Sequence, residues 1–219
     1  MAERNLDLIV FDWDGTLMDS TATIVDSIQA ACADLGLPVP SREQASHVIG
    51  LSLMGAVQTV APGLAEKDYE QLVERYRHHF LARDQDLVLF EGARELLETL
   101  RVQGYQLAIA TGKARRGLDR VLVQSGLGPL FHATRCADES FSKPHPGMLL
   151  ELMDQLLAEP ERTLMIGDTT HDLLMAKSAG THALAMTYGA HPRDQLAAEA
   201  PRALLDSMAD LREWLACHG

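Results

Sequence analysis

Apolar and polar positions along this chain follow two periods, and the points where one gives way to the other outline the fold. The run Leu8-Ile9-Val10-Phe11 is short, branched and soon closed by Asp14-Gly15, which predicts a buried strand. After it the strand pattern stops for a long interval. Asp19-Ser20 can cap a helix from Thr21 to about Leu35, ended by Gly36 and Pro38. Ser41-Arg42-Glu43-Gln44 offers a capping-box start for a second helix reaching His47 or Val48, and a third spans Leu51 to Val60. A fourth, Glu66 to about Arg83, sets Tyr69, Leu72, Val73, Tyr76 and Phe80 at helical spacing.

Nothing between Asp19 and Asp86 reads as a strand. From Gly92 the two patterns alternate: a helix to Gln103, strand Gln106–Ala110, helix Arg115–Ser125, strand Ala133–Cys136, helix Pro146–Ala158 and strand Thr163–Ile166. Helix Asp172–Ala179, strands Ala183–Thr187 and Ala203–Leu205, and a closing helix Met208–Cys217 complete the series. About six strands with helical crossovers imply an α/β fold, a doubly wound, mostly parallel Rossmann-like sheet covered on both faces. An all-helical block is inserted in it. The expected division is core over 1–18, helical insertion over 19–88 and core again over 89–219.

Composition narrows the function without choosing it. The 219 residues are 47% apolar and 23% charged, ordinary for a soluble globular protein. A formal charge of −12 argues against a nucleic-acid partner, since binding a phosphate backbone needs basic surface. The three cysteines, Cys32, Cys136 and Cys217, are far apart, which fits neither a zinc site nor a disulfide framework and suits a reducing cytosol. Met1 to Asp7 lacks a signal-peptide core and no apolar run approaches a membrane span, so a cytoplasmic protein away from membranes is expected.

The chemistry collects where strands end. Asp12 and Asp14 follow the first strand two residues apart, so both should face the space beyond it. Two carboxylates so close repel unless a cation or shared proton compensates, an arrangement suited to a hard divalent ion such as Mg²⁺. Thr111-Gly112-Lys113 follows the next strand, Lys143-Pro144-His145-Pro146 the one after, and Gly167-Asp168-Thr169-Thr170-His171-Asp172 the fourth. A carboxylate pair, a hydroxyl, a lysine and a second carboxylate pair at one sheet edge make a phosphoryl-transfer site.

In this order, D-x-D-G-T, T-G-K, K-P and G-D-x-x-x-D resembles the haloacid dehalogenase superfamily, over the whole chain. The helical insertion is similar to that family's small C1-type cap. Phe-Asp-x-Asp-Gly-Thr-Leu-x-Asp-Ser is most similar to phosphoglycolate phosphatases and their relatives. The resemblance implies a phosphomonoester hydrolase acting on a small phosphorylated metabolite through an aspartyl-phosphate on Asp12. Asp14 is implied as general acid and then base, with its backbone carbonyl on Mg²⁺; Thr111 and the Gly112 amide as phosphate ligands; Lys143 as the neutralising cation. Asp12, Asp168 and Asp172 complete the implied metal site. His47, Gly50 and Leu51 are candidates for substrate contact, because the corresponding loop in related enzymes faces the catalytic centre. Phosphoglycolate is the nearest substrate; sugar phosphates, nucleoside monophosphates and pyrophosphate stay open. A monomer or weak homodimer is expected.

Departures separate the alternatives. Asp14 speaks against a dehalogenase and a phosphonate hydrolase. A sugar phosphomutase keeps both aspartates, but such mutases carry a cap histidine where this chain has Ile24 and an arginine where it has Leu53. A non-catalytic phospho-ligand-binding module is a third reading. Trp13 is expected to turn away from Asp12 and Asp14 into the core. His171 reads as a solvated loop histidine, Arg115 and Arg116 as a solvated face, and Met54, Met148, Met153, Met165 and Met175 as core filler.

Overall fold

The computed structural model describes residues 5–219. Six strands form one parallel sheet in the order β3-β2-β1-β4-β5-β6: β1 Leu8–Phe11, β2 Gln106–Thr111, β3 Ala133–Cys136, β4 Thr163–Gly167, β5 His182–Met186 and β6 Leu204–Leu205. In register, Leu8 stands beside Gln106 on one side and Thr163 on the other, so β1 lies at the centre. Strand alternation sorts side chains by face. Ile9, Phe11, Leu107, Ile109, Leu164 and Ile166 join one apolar cluster, while Leu8, Val10, Ala108, Ala110 and Met165 join another. The first face is covered by α5 (Ala93–Val102), α6 (Arg115–Ser125) and α10 (Met208–His218), the second by α7 (Gly147–Leu156) and α8 (Thr170–Ala179). Trp13 is fully buried in the first cluster. Truncating so large a core side chain to Ala costs about 3–5 kcal/mol.

Between β1 and α5 lie only helices: α1 Thr21–Asp34, α2 Arg42–His47, α3 Leu53–Val60 and α4 Glu66–Leu81, with a 3₁₀ turn at Asp84–Asp86. Ala31, Cys32, Val57, Ala61, Leu72 and Val73 give the block a small core of its own. The chain enters and leaves it side by side: the Asp19 amide donates to the Val88 carbonyl at 2.9 Å and the Phe90 amide to that of Leu17 at 3.0 Å.

Several boundaries differ from expectation for local reasons. Helix α3 starts at Leu53 because the Ser52 hydroxyl accepts the Gly55 amide as N-cap. Helix α8 starts at Thr170, two residues early, because Thr169 and Asp172 form a reciprocal capping box. A short helix, α9 Arg193–Ala198, was not expected; one buried side chain, Leu196, anchors it. Met54 is 41% exposed rather than core filler; Met148, Met153, Met165 and Met175 are buried. No helix among the described residues is long and apolar enough to cross a membrane.

Candidate active site

Open parallel sheets gather ligands beyond the carboxyl ends of their strands, at the point where the strand order reverses. Here that point lies between β1 and β4, and four strand ends converge on it. Asp12 follows β1 and is 1% exposed; Thr111 ends β2; Lys143, 2% exposed, sits in the loop between β3 and α7; Asp168 follows β4 and Asp172 lies in the first turn of α8. The Lys143 Nζ lies 2.8 Å from Asp12 Oδ1 and 2.7 Å from Asp172 Oδ1, joining both carboxylates. Asp168 Oδ1 accepts the Thr16 hydroxyl at 2.7 Å, and its Oδ2 the Ala190 amide at 2.7 Å. Asp172 Oδ2 accepts the Thr169 amide and hydroxyl at 3.1 and 2.6 Å. Gly15 has a positive φ, and a Cβ there would sit 2.2 Å from Asp168 Oδ2, so only glycine lets the turn wrap this carboxylate.

One oxygen of each of Asp12, Asp168 and Asp172 lies within 4.8 Å of the others. Three buried carboxylates facing one ammonium leave two uncompensated negative charges when all are ionised. The groups register the imbalance. Burial, with repulsion from Asp172, pushes the Asp12 carboxyl up to about 7 against the pull of Lys143. Burial and then repulsion from Asp12 raise Asp168 well above the usual carboxylate range. For Lys143, burial acts downward but the two carboxylates outweigh it and hold the ammonium above the usual lysine range. Asp12 Oδ2 is buried without a hydrogen-bond partner. An orphaned carboxylate oxygen beside two further carboxylates fits a hard divalent cation.

The Asp14 carboxylate turns elsewhere. Its Oδ1 accepts the Ser20 hydroxyl at 2.7 Å and its Oδ2 lies 2.9 Å from Lys113 Nζ, which stands 4.9 Å over the Phe80 ring. Ser20 therefore does not cap α1, as the sequence led us to expect; its hydroxyl faces Asp14. The motif that carried the family resemblance already contained Ser20, whereas nothing local distinguished the ion pair made by Lys113.

Asp12, Asp14, Thr111 and Gly112 open onto a cavity of ≈ 310 Å³ between the sheet edge and the helical block, whose Gly50 and Leu51 also line it. A Cβ on Gly112 would lie 2.4 Å from the Leu51 carbonyl oxygen and 2.6 Å from that of Gly50, so the loop after α2 rests directly on the Gly112 backbone. His47 lies outside this cavity and lines a wider neighbouring cleft. Its carbonyl is hydrogen-bonded by His171 Nε2 at 2.9 Å and His191 Nε2 at 3.1 Å. His171 is thus not a solvated loop residue: the first turn of α8 carries it, partly buried, against the His47 loop. Burial lowers the proton affinity of His171, and takes His191 down to about 4. Arg115 is paired at the surface with Glu139 at 2.6 Å and Asp119 at 3.1 Å, while Arg116 lines the cavity.

The model of the haloacid dehalogenase-like hydrolase family matches residues 9–186, and the chain belongs to that family. It is 38% identical over 211 residues to the probable phosphatase IndB of Dickeya dadantii, covering 93% of this chain and 91% of that protein. It is 32% identical to a phosphoglycolate phosphatase of Mannheimia succiniciproducens, covering 93% and 96%. A hydrolase from Pseudomonas syringae shares the fold with a TM-score of 0.88 at 23% identity, covering 96% of this chain and 98% of that one.

Proposed function

We propose that the protein is a Mg²⁺-dependent phosphatase that hydrolyses a small phosphorylated metabolite through an aspartyl-phosphate on Asp12. The observation that carries the reading is the Asp12–Lys143–Asp172 chain of ion pairs, with Asp12 Oδ2 buried and unpartnered in a residue that lines the cavity. A carboxylate so placed is a nucleophile held by one oxygen and left unpartnered at the other. Thr111 and the Gly112 amide bind the phosphoryl oxygens. Asp12 attacks phosphorus in line, the bond to the leaving oxygen breaks, and Asp14 gives that oxygen a proton. Asp14 then takes a proton from the water that attacks the aspartyl-phosphate, which frees phosphate and restores Asp12. Lys143 balances charge between Asp12 and the phosphoryl group throughout. Asp12, Asp168, Asp172 and the Asp14 carbonyl would hold Mg²⁺, which when bound neutralises phosphoryl charge.

The helical block over 19–88 acts as the cap, excluding bulk water when its 48–51 loop rests on Gly112. A cavity near 310 Å³ supports a small substrate, since it lies at the lower end of the range for ligand pockets. Apolar Ile24 and Leu53 in its wall favour hydrolysis over a phosphomutase, which would carry polar groups there. Relatives named as phosphatases support the activity, and one named for phosphoglycolate supports a compound of that size. Free Cys32, Cys136 and Cys217 fit work in the cytoplasm.

The test is phosphate release from a panel of phosphorylated metabolites with Mg²⁺ and with EDTA. Release that needs Mg²⁺ and disappears in Asp12→Asn, with the far-ultraviolet spectrum unchanged, is expected. Turnover by Asp12→Asn at the wild-type rate would exclude the covalent route.

A further inference from the structure

Two arginines that line the cavity have no side-chain partner among the described residues. Arg77, on α4, and Arg116, in the first turn of α6, both border it, are exposed, and make neither an ion pair nor a hydrogen bond among the described residues. The other cations of the cavity are held: Lys113 by Asp14 at 2.9 Å, and Arg120 by Asp84 at 2.8 Å. Next door, Arg115 is tied to Glu139 and Asp119. In a chain with 31 acidic residues against 19 lysines and arginines, two unmatched guanidinium groups on one small cavity are out of keeping with the rest of the surface. Arg116 also lies where the dipole of α6 disfavours a cation.

The phosphoryl end of the cavity needs neither arginine, because Thr111, Gly112 and Lys143 already converge there. Ile24, Ile28, Val48 and the stacked Tyr76–Phe80 pair, whose centroids are 5.8 Å apart, add apolar wall to the same cavity. One arginine comes from the helical block and the other from the sheet domain, so an anion taken up by both would tie the two together.

Resting on the phosphatase reading above, we infer that the substrate's leaving group carries a second oxyanion, which Arg77 and Arg116 in the cavity wall bind. The substrate is a phosphomonoester whose leaving group bears a carboxylate or second phosphoryl group. The arginines decide specificity and touch no reacting atom. Guanidinium groups suit the role, since they bind planar and tetrahedral oxyanions through paired N–H donors.

The experiment is calorimetric binding, in Mg²⁺, of ω-carboxyalkylphosphonates of two, three and four carbons, their neutral ω-amides, and the bisphosphonates of equal length. These probes are not hydrolysed, so the readout does not depend on turnover. We expect at least one acid or bisphosphonate to bind about tenfold or more tightly than its amide. Arg77→Gln and Arg116→Gln should each remove part of that preference, and the double variant should bring the acid to the affinity of the amide. Both positions are exposed, so thermal unfolding of the variants should match wild type. Equal binding of acid, bisphosphonate and amide at every length would overturn this inference alone, as would a preference that survives the double variant. Failure of every phosphonate to bind would overturn it together with the phosphatase reading.

Discussion

Replacing Lys143 by Met keeps an unbranched apolar stem of similar length and deletes the one cation of a buried cluster. The side chain is fully enclosed, with its ammonium 2.8 Å from Asp12 and 2.7 Å from Asp172. Removing one member of a buried ion pair costs about 3–5 kcal/mol, because the charges left behind stay desolvated. Here two carboxylates lose their counterion together, with the buried Asp168 beside them, so the upper half of that range is expected. For a domain of this size each kcal/mol moves the melting temperature by about 2–4 °C, which puts the expected drop at about 8–20 °C. The assay is thermal unfolding by circular dichroism in EDTA, on wild type, Lys143→Met, Asp172→Asn and the double variant. Removing Asp172's charge should recover part of the loss caused by Lys143→Met, a coupling of about 1–3 kcal/mol. Added Mg²⁺ should raise the melting temperature of Lys143→Met more than that of wild type, since the variant's cluster has more charge to neutralise. A variant that melts within about 2 °C of wild type in EDTA would show that the carboxylates do not depend on Lys143, and the charge argument would fall.

Three further outcomes are expected. Gly112→Ala drives its Cβ into the carbonyl oxygens of Gly50 and Leu51, so the loop must lift; kcat/KM for phosphate release should drop about 100-fold, with faster proteolysis of the 48–52 segment, and an unchanged kcat/KM would refute the contact. Ser20→Ala removes the 2.7 Å bond that orients Asp14 and should lower kcat about tenfold with KM little changed; equal kcat would separate Ser20 from the acid's function. The Arg42 hydrogen bond, with Arg83 beside it, holds the Asp26 carboxyl below its usual range. Its folded-state value is depressed, so its stabilisation is present above the ordinary carboxylate value and is lost as pH falls through the folded one. The melting-temperature difference between Asp26→Asn and wild type should therefore be seen at neutral pH and vanish in acid.

The sheet was legible because its signal is local: apolar runs bounded by glycine and acids, each facing both layers, leave few alternatives for a parallel strand. The convergence of Asp12, Thr111, Lys143 and Asp168 was legible for a related reason, since a parallel sheet sends every strand end to the same edge. What could not be read depends on partners far away in sequence. The Ser20 hydroxyl has two competing uses, capping α1 or bonding Asp14, and only the tertiary position of Asp14 decides. That Lys143 spans Asp12 and Asp172 follows from where α8 starts, which the Thr169 cap fixes. His171 and Arg116 looked like ordinary surface residues because the loop and cavity they meet are built from another part of the chain. Helix α9 has too few apolar positions to show a period.

The paired connections at Leu17–Asp19 and Val88–Phe90 bear on how this architecture can change. Met18 bridges to Asp14 on one side and to Leu89 on the other, so both ends of the insertion are pinned to each other and to the nucleophile loop. With its ends already joined, an insert of another length would add only the slow logarithmic term of loop closure. The sheet and its acids need not register what is spliced between the two connections. Recombination at this one seam can therefore exchange the recognition half of the molecule while leaving the reactive half intact, a route to new substrates open to evolution and to the bench alike.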